Sequence, residues 1–286
     1  MIRLCAFADE AAAPLREQIE ELKKHGINLL ELRSIGGKNV SAFTLDEAEE
    51  YSKILKEAGI EVWSIGSPLC KTDLDTKDRH LAIADHLFEI AEIFGTKRVR
   101  MFSYYKSEGR GDEVIAALRE IAEVAKRRDI ILCHENEKGI YGDVTERVEE
   151  IVSAKIDGMR FVFDPANYIQ CGVFIPDAIK RLFGTTDYFH IKDVIRETGE
   201  LVPSGNGDGF IDGIIDMITA SRRDTVMSIE PHLKVFDGAS GTGDSQITGK
   251  YVYSSNKESF AAAVNALKAM LTGCGYTETA DGWIHK

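Results

Sequence analysis

The 286-residue chain predicts an α/β fold, a (β/α)8 TIM barrel forming a single domain over residues 1–286. Three observations lead there. Short apolar runs alternate with helix-period segments along the whole length, eight of each. The apolar runs are continuous rather than alternating, as parallel strands buried on both faces require. No Gly-x-Gly-x-x-Gly follows the first run, which disfavours a doubly wound open sheet, and no linker composition interrupts the chain. The length exceeds the usual single-domain size, but α/β barrels routinely reach it in one unit.

Each unit carries its own signals. A strand at Ile2–Ala8 precedes a helix with Leu15, Ile19 and Leu22 at helical spacing, stopped by Gly26. A strand at Asn28–Leu32 comes next, and Thr44-Leu45-Asp46-Glu47 forms a capping box that opens a helix through Tyr51 and Leu55. Glu61–Ile65 precedes a helix carrying Leu81, Ala84, Phe88 and Ala91, closed by Gly95, and Arg98–Phe102 precedes one carrying Val114, Leu118, Ile121 and Ala125. The second half repeats the plan. Ile130–Glu135 leads to a helix begun by Asp143-Val144-Thr145-Glu146, with Val144, Val148 and Ile151 on one face. Arg160–Asp164 leads to Ile175, Ile179 and Leu182, and Tyr188–Asp193 leads to Ile211, Ile214 and Ile218. Thr225–Glu230 leads, after a long loop, to Ser255-Asn256-Lys257-Glu258 and a last helix through Phe260, Val264, Leu267 and Leu271.

Composition narrows the functional classes. With 44% hydrophobic and 29% charged residues the chain has the makings of an ordinary soluble core. No apolar run approaches the roughly 20 residues needed to span a bilayer, so no membrane partner is expected. Met1–Phe7 is too short and polar-flanked for a signal peptide. Five scattered cysteines without CxxC spacing predict reduced thiols in the cytoplasm, not a disulfide framework or zinc knuckle. The formal net charge of −12, with no lysine/arginine cluster, argues against nucleic acid and for a small-molecule substrate.

The strongest functional signal is a set of four strand ends. Ile130–Glu135, Phe161–Asp164, Phe189–Asp193 and Val226–Glu230 are apolar runs that finish in, or just beyond, a metal-capable side chain: Glu135, Asp164, His190 and Glu230. These lie 29, 26 and 40 residues apart, about one strand–helix unit each, the last gap lengthened by a glycine-rich loop. In a barrel that spacing gathers them around one quadrant of the carboxyl rim, where the chemistry of the fold sits. A mixed carboxylate–imidazole shell suits one divalent ion, Mn²⁺, Mg²⁺, Co²⁺ or Zn²⁺, and excludes a soft thiolate site. The bland alternative is that acidic residues end strands because strands end at solvent; four on consecutive units, a histidine among them, argue against it.

Leu30-Glu31-Leu32-Arg33, His134-Glu135-Asn136, Phe163-Asp164-Pro165-Ala166-Asn167, Phe189-His190-Ile191-Lys192-Asp193 and Ser228-Ile229-Glu230-Pro231-His232, in this order and spacing, resemble the xylose isomerase-like TIM-barrel superfamily of sugar and sugar phosphate isomerases and epimerases. The resemblance covers nearly the whole chain. It implies that Glu135, Asp164, His190 and Glu230 hold the metal and that the two glutamates act as acid/base groups on opposite faces of a sugar-like substrate. Arg196, six residues after His190, matches a substrate-gripping arginine of the ketose epimerases. Two positions depart from that subgroup: Asn167 replaces a histidine and Tyr141 a glutamate. The same superfamily contains keto-sugar dehydratases and lyases, and apurinic endonucleases, which need more histidine ligands and a basic rim. A binding barrel without chemistry is the third class, against which the intact ligand quartet speaks.

Further residues follow from parity along the strands. Lys192 shares parity with His190, and His232 with Glu230, so both join Arg33, Asn167 and Arg196 as candidates for substrate contact. A strand-end lysine in solvent and an Arg33–Glu31 pair are the blander readings. Asp193 is a candidate to orient His190 or Lys192 from behind. His134 should point away from Glu135 and pack. Phe7 and Trp63 are candidates for an apolar wall. Gly205–Gly209 reads as a flexible loop, and Asp237–Gly249 as a long loop that suits a contact between copies in a homo-oligomer.

Overall fold

The computed structural model describes residues 1–235 and 250–285. Eight strands run parallel: β1 (Ile2–Ala6), β2 (Leu29–Leu32), β3 (Glu61–Leu69), β4 (Arg98–Met101), β5 (Ile131–Glu135), β6 (Met159–Phe163), β7 (Thr186–Ile191) and β8 (Thr225–Ile229). Each pairs with its neighbour in sequence, and β8 returns to β1 through Ile2↔Thr225 to Ala6↔Ile229, closing the barrel. Helices α1 (Leu15–Lys24), α2 (Leu45–Ala58), α3 (Lys77–Phe94), α4 (Gly111–Arg127), α5 (Thr145–Ser153), a short α6 (Pro165–Gln170), α7 (Ile175–Leu182), α8 (Ile211–Ser221) and α9 (Asn256–Gly273) are the connecting helical segments.

Local chemistry sets these boundaries. Thr44 accepts from the Glu47 N–H while Glu47 accepts from the Thr44 N–H, the reciprocal cap that starts α2. Ser255 caps α9 through the Glu258 N–H. Gly59 and Gly95 end α2 and α3 in the left-handed conformation that glycine adopts without a Cβ penalty. The principal core lies between the barrel wall and the helices, with Leu22, Phe88, Leu118, Ile179 and Phe260 among its fully buried members. A second, smaller core formed by Cys5, Leu29, Cys133, Val162, Tyr188 and Val226 fills the barrel interior.

Four elements differ from the sequence-based expectation. Strand β3 runs on to Leu69 through a register shift against β4 rather than ending at Ile65. Helix α6 follows β6 at once, because Asp164 accepts from the Asn167 N–H and Pro165 sits where its missing N–H costs nothing. The chain closes with an antiparallel hairpin, β9 (Tyr276–Thr279) and β10 (Gly282–His285), whose Trp283 pairs with Ile2 at the amino end of β1. In α5, Val144 stands at the N-cap instead of inside the helix. The Asp237–Gly249 loop, expected at a subunit contact, lies outside the described residues.

Candidate metal and active site

The inward-facing residues of the strands stack in layers up the barrel. On β7 these are Tyr188, His190 and, just past the strand, Lys192; on β2 they are Leu29, Glu31 and, again just past the strand, Arg33. At the carboxyl end, one ligand atom each from Glu135, Asp164, His190 and Glu230 lies within 4.8 Å of all the others. All four side chains are buried, none more than 4% exposed.

Each is held from outside the cluster. His190 places Nε2 3.1 Å from Glu31 Oε2 and Nδ1 3.0 Å from Glu135 Oε1. Glu31 also accepts the Tyr188 hydroxyl at 2.7 Å. With a carboxylate against each nitrogen the imidazole is pushed toward its charged form, and Glu31 behind Nε2 would hold the remaining proton there if a metal ion took Nδ1. Asp164 spends Oδ1 on capping α6, and its backbone N–H and C=O both bond to the Asn136 side chain, at 2.9 and 2.8 Å. Asn167 donates Nδ2 to Glu135 Oε1 at 3.3 Å and to Asn136 O at 3.0 Å. Glu230 Oε1 accepts from Arg33 Nη1 at 2.9 Å.

What remains is a set of unused donor atoms. Glu135 Oε2, Asp164 Oδ2 and Glu230 Oε2 are buried with no well-aligned hydrogen bond and are met only by the cations Arg100, Lys192 and His190. Buried carboxylate oxygens carry a large desolvation cost unless a cation or donor meets them. The hard-oxygen and imidazole character of the set fits a divalent ion, with Glu135, Asp164, His190 and Glu230 as its holders.

Three cations press on the same carboxylates. Arg100 Nη1 lies 3.3 Å from Glu135 Oε2 and 3.8 Å from Glu230 Oε1, with its guanidinium over the rings of Phe7 and Phe102. Arg33 stacks on Phe7 and bonds to Asp9, Glu10 and Glu230. Lys192 Nζ is 2.9 Å from Asp164 Oδ2 and 3.6 Å from Glu230 Oε2. Burial pushes the Glu135 carboxyl up, but His190 and Arg100 outweigh it and hold it at about 2. Glu230 is likewise driven well below the usual range, Lys192 and His190 overcoming its burial. Asp164 goes the other way, to about 6, because burial and the two glutamates outweigh Lys192 and His190.

The remaining candidates are distributed around this centre. Arg33 does reach the cavity, and the bland Arg33–Glu31 pair is replaced by its bonds to Asp9, Glu10 and Glu230. His232 sits at the mouth with Nε2 3.0 Å from Glu10 Oε1 and 3.5 Å from Glu230 Oε1. Glu10, Glu230 and His232 also converge, but the Arg33 guanidinium already bonds to both of those carboxylates. Arg196 stands on the rim, its Nη2 donating to Val173 O at 2.8 Å, apart from the quartet. Asn167 is committed to Glu135 and Asn136 as above.

Three expectations are corrected. Asp193 is turned away from His190 and Lys192: its carboxylate accepts the N–H groups of Val194, Gly205, Gly207 and Gly209 at 2.8–3.1 Å. The Gly205–Gly209 loop is thereby pinned, with Asn206 also accepting from the Tyr251 hydroxyl. Trp63 is no wall of the site; it lies near the amino end of the barrel beneath the Arg98 guanidinium, whereas Phe7 does stand edge-on to His190 at 5.2 Å. His134 packs outward against Phe161 as parity predicts. Glu31, Arg100 and Asn136 escaped the sequence reading. The parity of Glu31 with Arg33, and of Arg100 with Arg98, on buried strands was the available signal.

A closed parallel barrel with a carboxylate–imidazole cluster at its carboxyl rim defines the class. The chain belongs to the xylose isomerase-like TIM barrel family, whose model matches residues 19–246. Solved structures agree in fold. The probable 3-DHS dehydratase AsbF from Bacillus anthracis superposes with a TM-score of 0.70 at 16% identity, covering 94% of this chain and 99% of that one. An L-ribulose 3-epimerase gives 0.69 at 17% identity over 96% and 95%. A xylose isomerase-like TIM barrel protein from Mycobacterium smegmatis in complex with magnesium gives 0.67 at 15% identity over 94% and 97%. No curated protein sequence matches the chain.

Proposed function

We propose that the chain is one catalytic domain, a divalent-metal-dependent isomerase or epimerase of a sugar, sugar phosphate or cyclitol. The observation that carries this reading is the convergence of ligand atoms from Glu135, Asp164, His190 and Glu230, all buried, within 4.8 Å of one another. A bound Mn²⁺, Mg²⁺, Co²⁺ or Zn²⁺ ion there supplies charge stabilisation to the oxyanion that forms when a C–H beside a carbonyl is deprotonated.

The side chains do the rest. Glu135 and Glu230 are held ionised by their cationic neighbours, so both are in the proton-accepting form at neutral pH and serve as base and returning acid. Phe7, buried beneath the Arg33 and Arg100 guanidiniums, supports the site from below, and Arg33, Asn167, Lys192, Arg196 and His232 orient the oxygens of the sugar. Return of the proton to the neighbouring carbon gives isomerisation; return to the opposite face gives inversion. Five free cysteines fit a reducing cytoplasm.

The test combines metal analysis with solvent-deuterium exchange over a panel of ketoses. Metal retained in about one equivalent, with deuterium entering the carbon beside the carbonyl, supports the reading. Loss of water from a keto-sugar instead would assign the dehydratase chemistry named for one structural neighbour. Protein that holds no metal and exchanges no hydrogen would end the proposal.

A further inference from the structure

Lys192 follows β7 by one residue and shares the parity that turns Tyr188 and His190 into the barrel. Its side chain is 6% exposed, and its ammonium lies 2.9 Å from Asp164 Oδ2 and 3.6 Å from Glu230 Oε2. Those are two of the three oxygens in the quartet that no hydrogen bond satisfies. The other cations attach elsewhere: Arg33 to the far oxygen of Glu230, Arg100 nearest to Glu135. Apart from His190, itself one of the four candidate ligands and 3.4 Å from Glu230 Oε2 through Nδ1, Lys192 is the cation placed on the lone pairs that a metal ion held by Asp164 and Glu230 would use. A divalent ion bonds oxygen at roughly 2.0–2.6 Å, so two cations cannot share these atoms without close mutual repulsion.

We infer that Lys192 is a built-in competitor for the metal. Its ammonium neutralises Asp164 and Glu230 when no ion is bound and must withdraw from them when one arrives. The flexible four-carbon stem permits this, which a rigid, always-forked guanidinium would not. The displaced ammonium is then free to meet a substrate oxygen. The inference rests on the metal reading above, and it predicts that affinity for the ion is set low by the protein itself.

The test is a calorimetric titration of chelator-treated wild type, Lys192→Met and Lys192→Arg with Mn²⁺, alongside thermal melts with and without the ion. Lys192→Met should bind Mn²⁺ about tenfold or more tightly than wild type. It should melt below wild type in chelator and lose that deficit in Mn²⁺. Lys192→Arg, whose guanidinium cannot withdraw in the same way, should bind Mn²⁺ more weakly than wild type. Unchanged or weaker binding by Lys192→Met would overturn the inference, because a lysine that merely props Asp164 weakens the site when removed. If Lys192→Met folds only in Mn²⁺, its release of the ion into chelator is read instead; slower release than wild type supports competition, equal or faster release overturns it. Failure of wild type and both variants to bind Mn²⁺ would remove the metal reading, and this inference with it.

Discussion

His190 illustrates how a single side chain acquires a task from its surroundings. Its Nε2 faces Glu31 and its Nδ1 faces the quartet, so both ring nitrogens have a carboxylate to donate to, and a metal ion at the quartet would displace the Nδ1 proton while Glu31 keeps the other. Glu31→Gln keeps the shape but removes the charge behind the ring, and Mn²⁺ affinity measured by calorimetry should fall about 10- to 100-fold. His134, one residue before Glu135, is a contrasting case. Burial holds it neutral and drops its pKa to about 4 from an ordinary 6.5. The unfolded chain therefore takes up the proton first as pH falls. The stability that His134 contributes is whole above pH 6.5 and is lost progressively toward pH 4, about 3 kcal/mol in all. Denaturant titrations across that window should show the loss in wild type and lack this part of it in His134→Met. Glu135, Asp164, His190 and Glu230 were legible in the sequence because polar side chains ending apolar runs stand out. Glu31 and Arg100 were not, because a charge in mid-strand looks like a solvent-facing one until the barrel closes around it.

At the scale of elements, the eight strand–helix units were legible from periodicity and caps, since the Thr44–Glu47 and Ser255–Glu258 pairs announce helix starts chemically. Helix α6 was hidden by its six-residue length, too short for a period to show. The β9–β10 hairpin carries a turn signature of its own, Asp281-Gly282 between alternating residues, too short to stand out beside the long helix that precedes it. The loop after β7 is the clearest case of a segment whose rigidity comes from one residue. Four backbone N–H groups converge on the Asp193 carboxylate, and a Cβ on Gly209 would meet Asp193 Oδ1 at 2.7 Å. Asp193→Ala leaves those donors without their charged acceptor, so it should cost about 2 kcal/mol or more and open residues 201–209 to limited proteolysis. Asp193→Asn should fall between that variant and wild type.

Across the whole molecule, the closed parallel barrel was legible from counting units, but the sorting of its interior into layers was not. Arg98, Trp63 and the Arg98–Asp187 ion pair occupy the amino end, the Cys5–Tyr188–Val226 layer the middle, and the charged quartet with its three cations the carboxyl end. Trp283 is 5% exposed and ties the terminal hairpin to Ile2, so Trp283→Ala should cost about 3–5 kcal/mol in chemical denaturation. The placement of the two tryptophans, Trp63 and Trp283, has a practical corollary for spectroscopy. Both belong to the floor of the barrel, with the packed Tyr188 layer between them and the rim. Emission excited at the red edge, where indole alone absorbs, should therefore report the melting of the floor and stay silent when ions or sugars enter from above. An introduced fluorophore near the mouth is the way to watch ligands arrive.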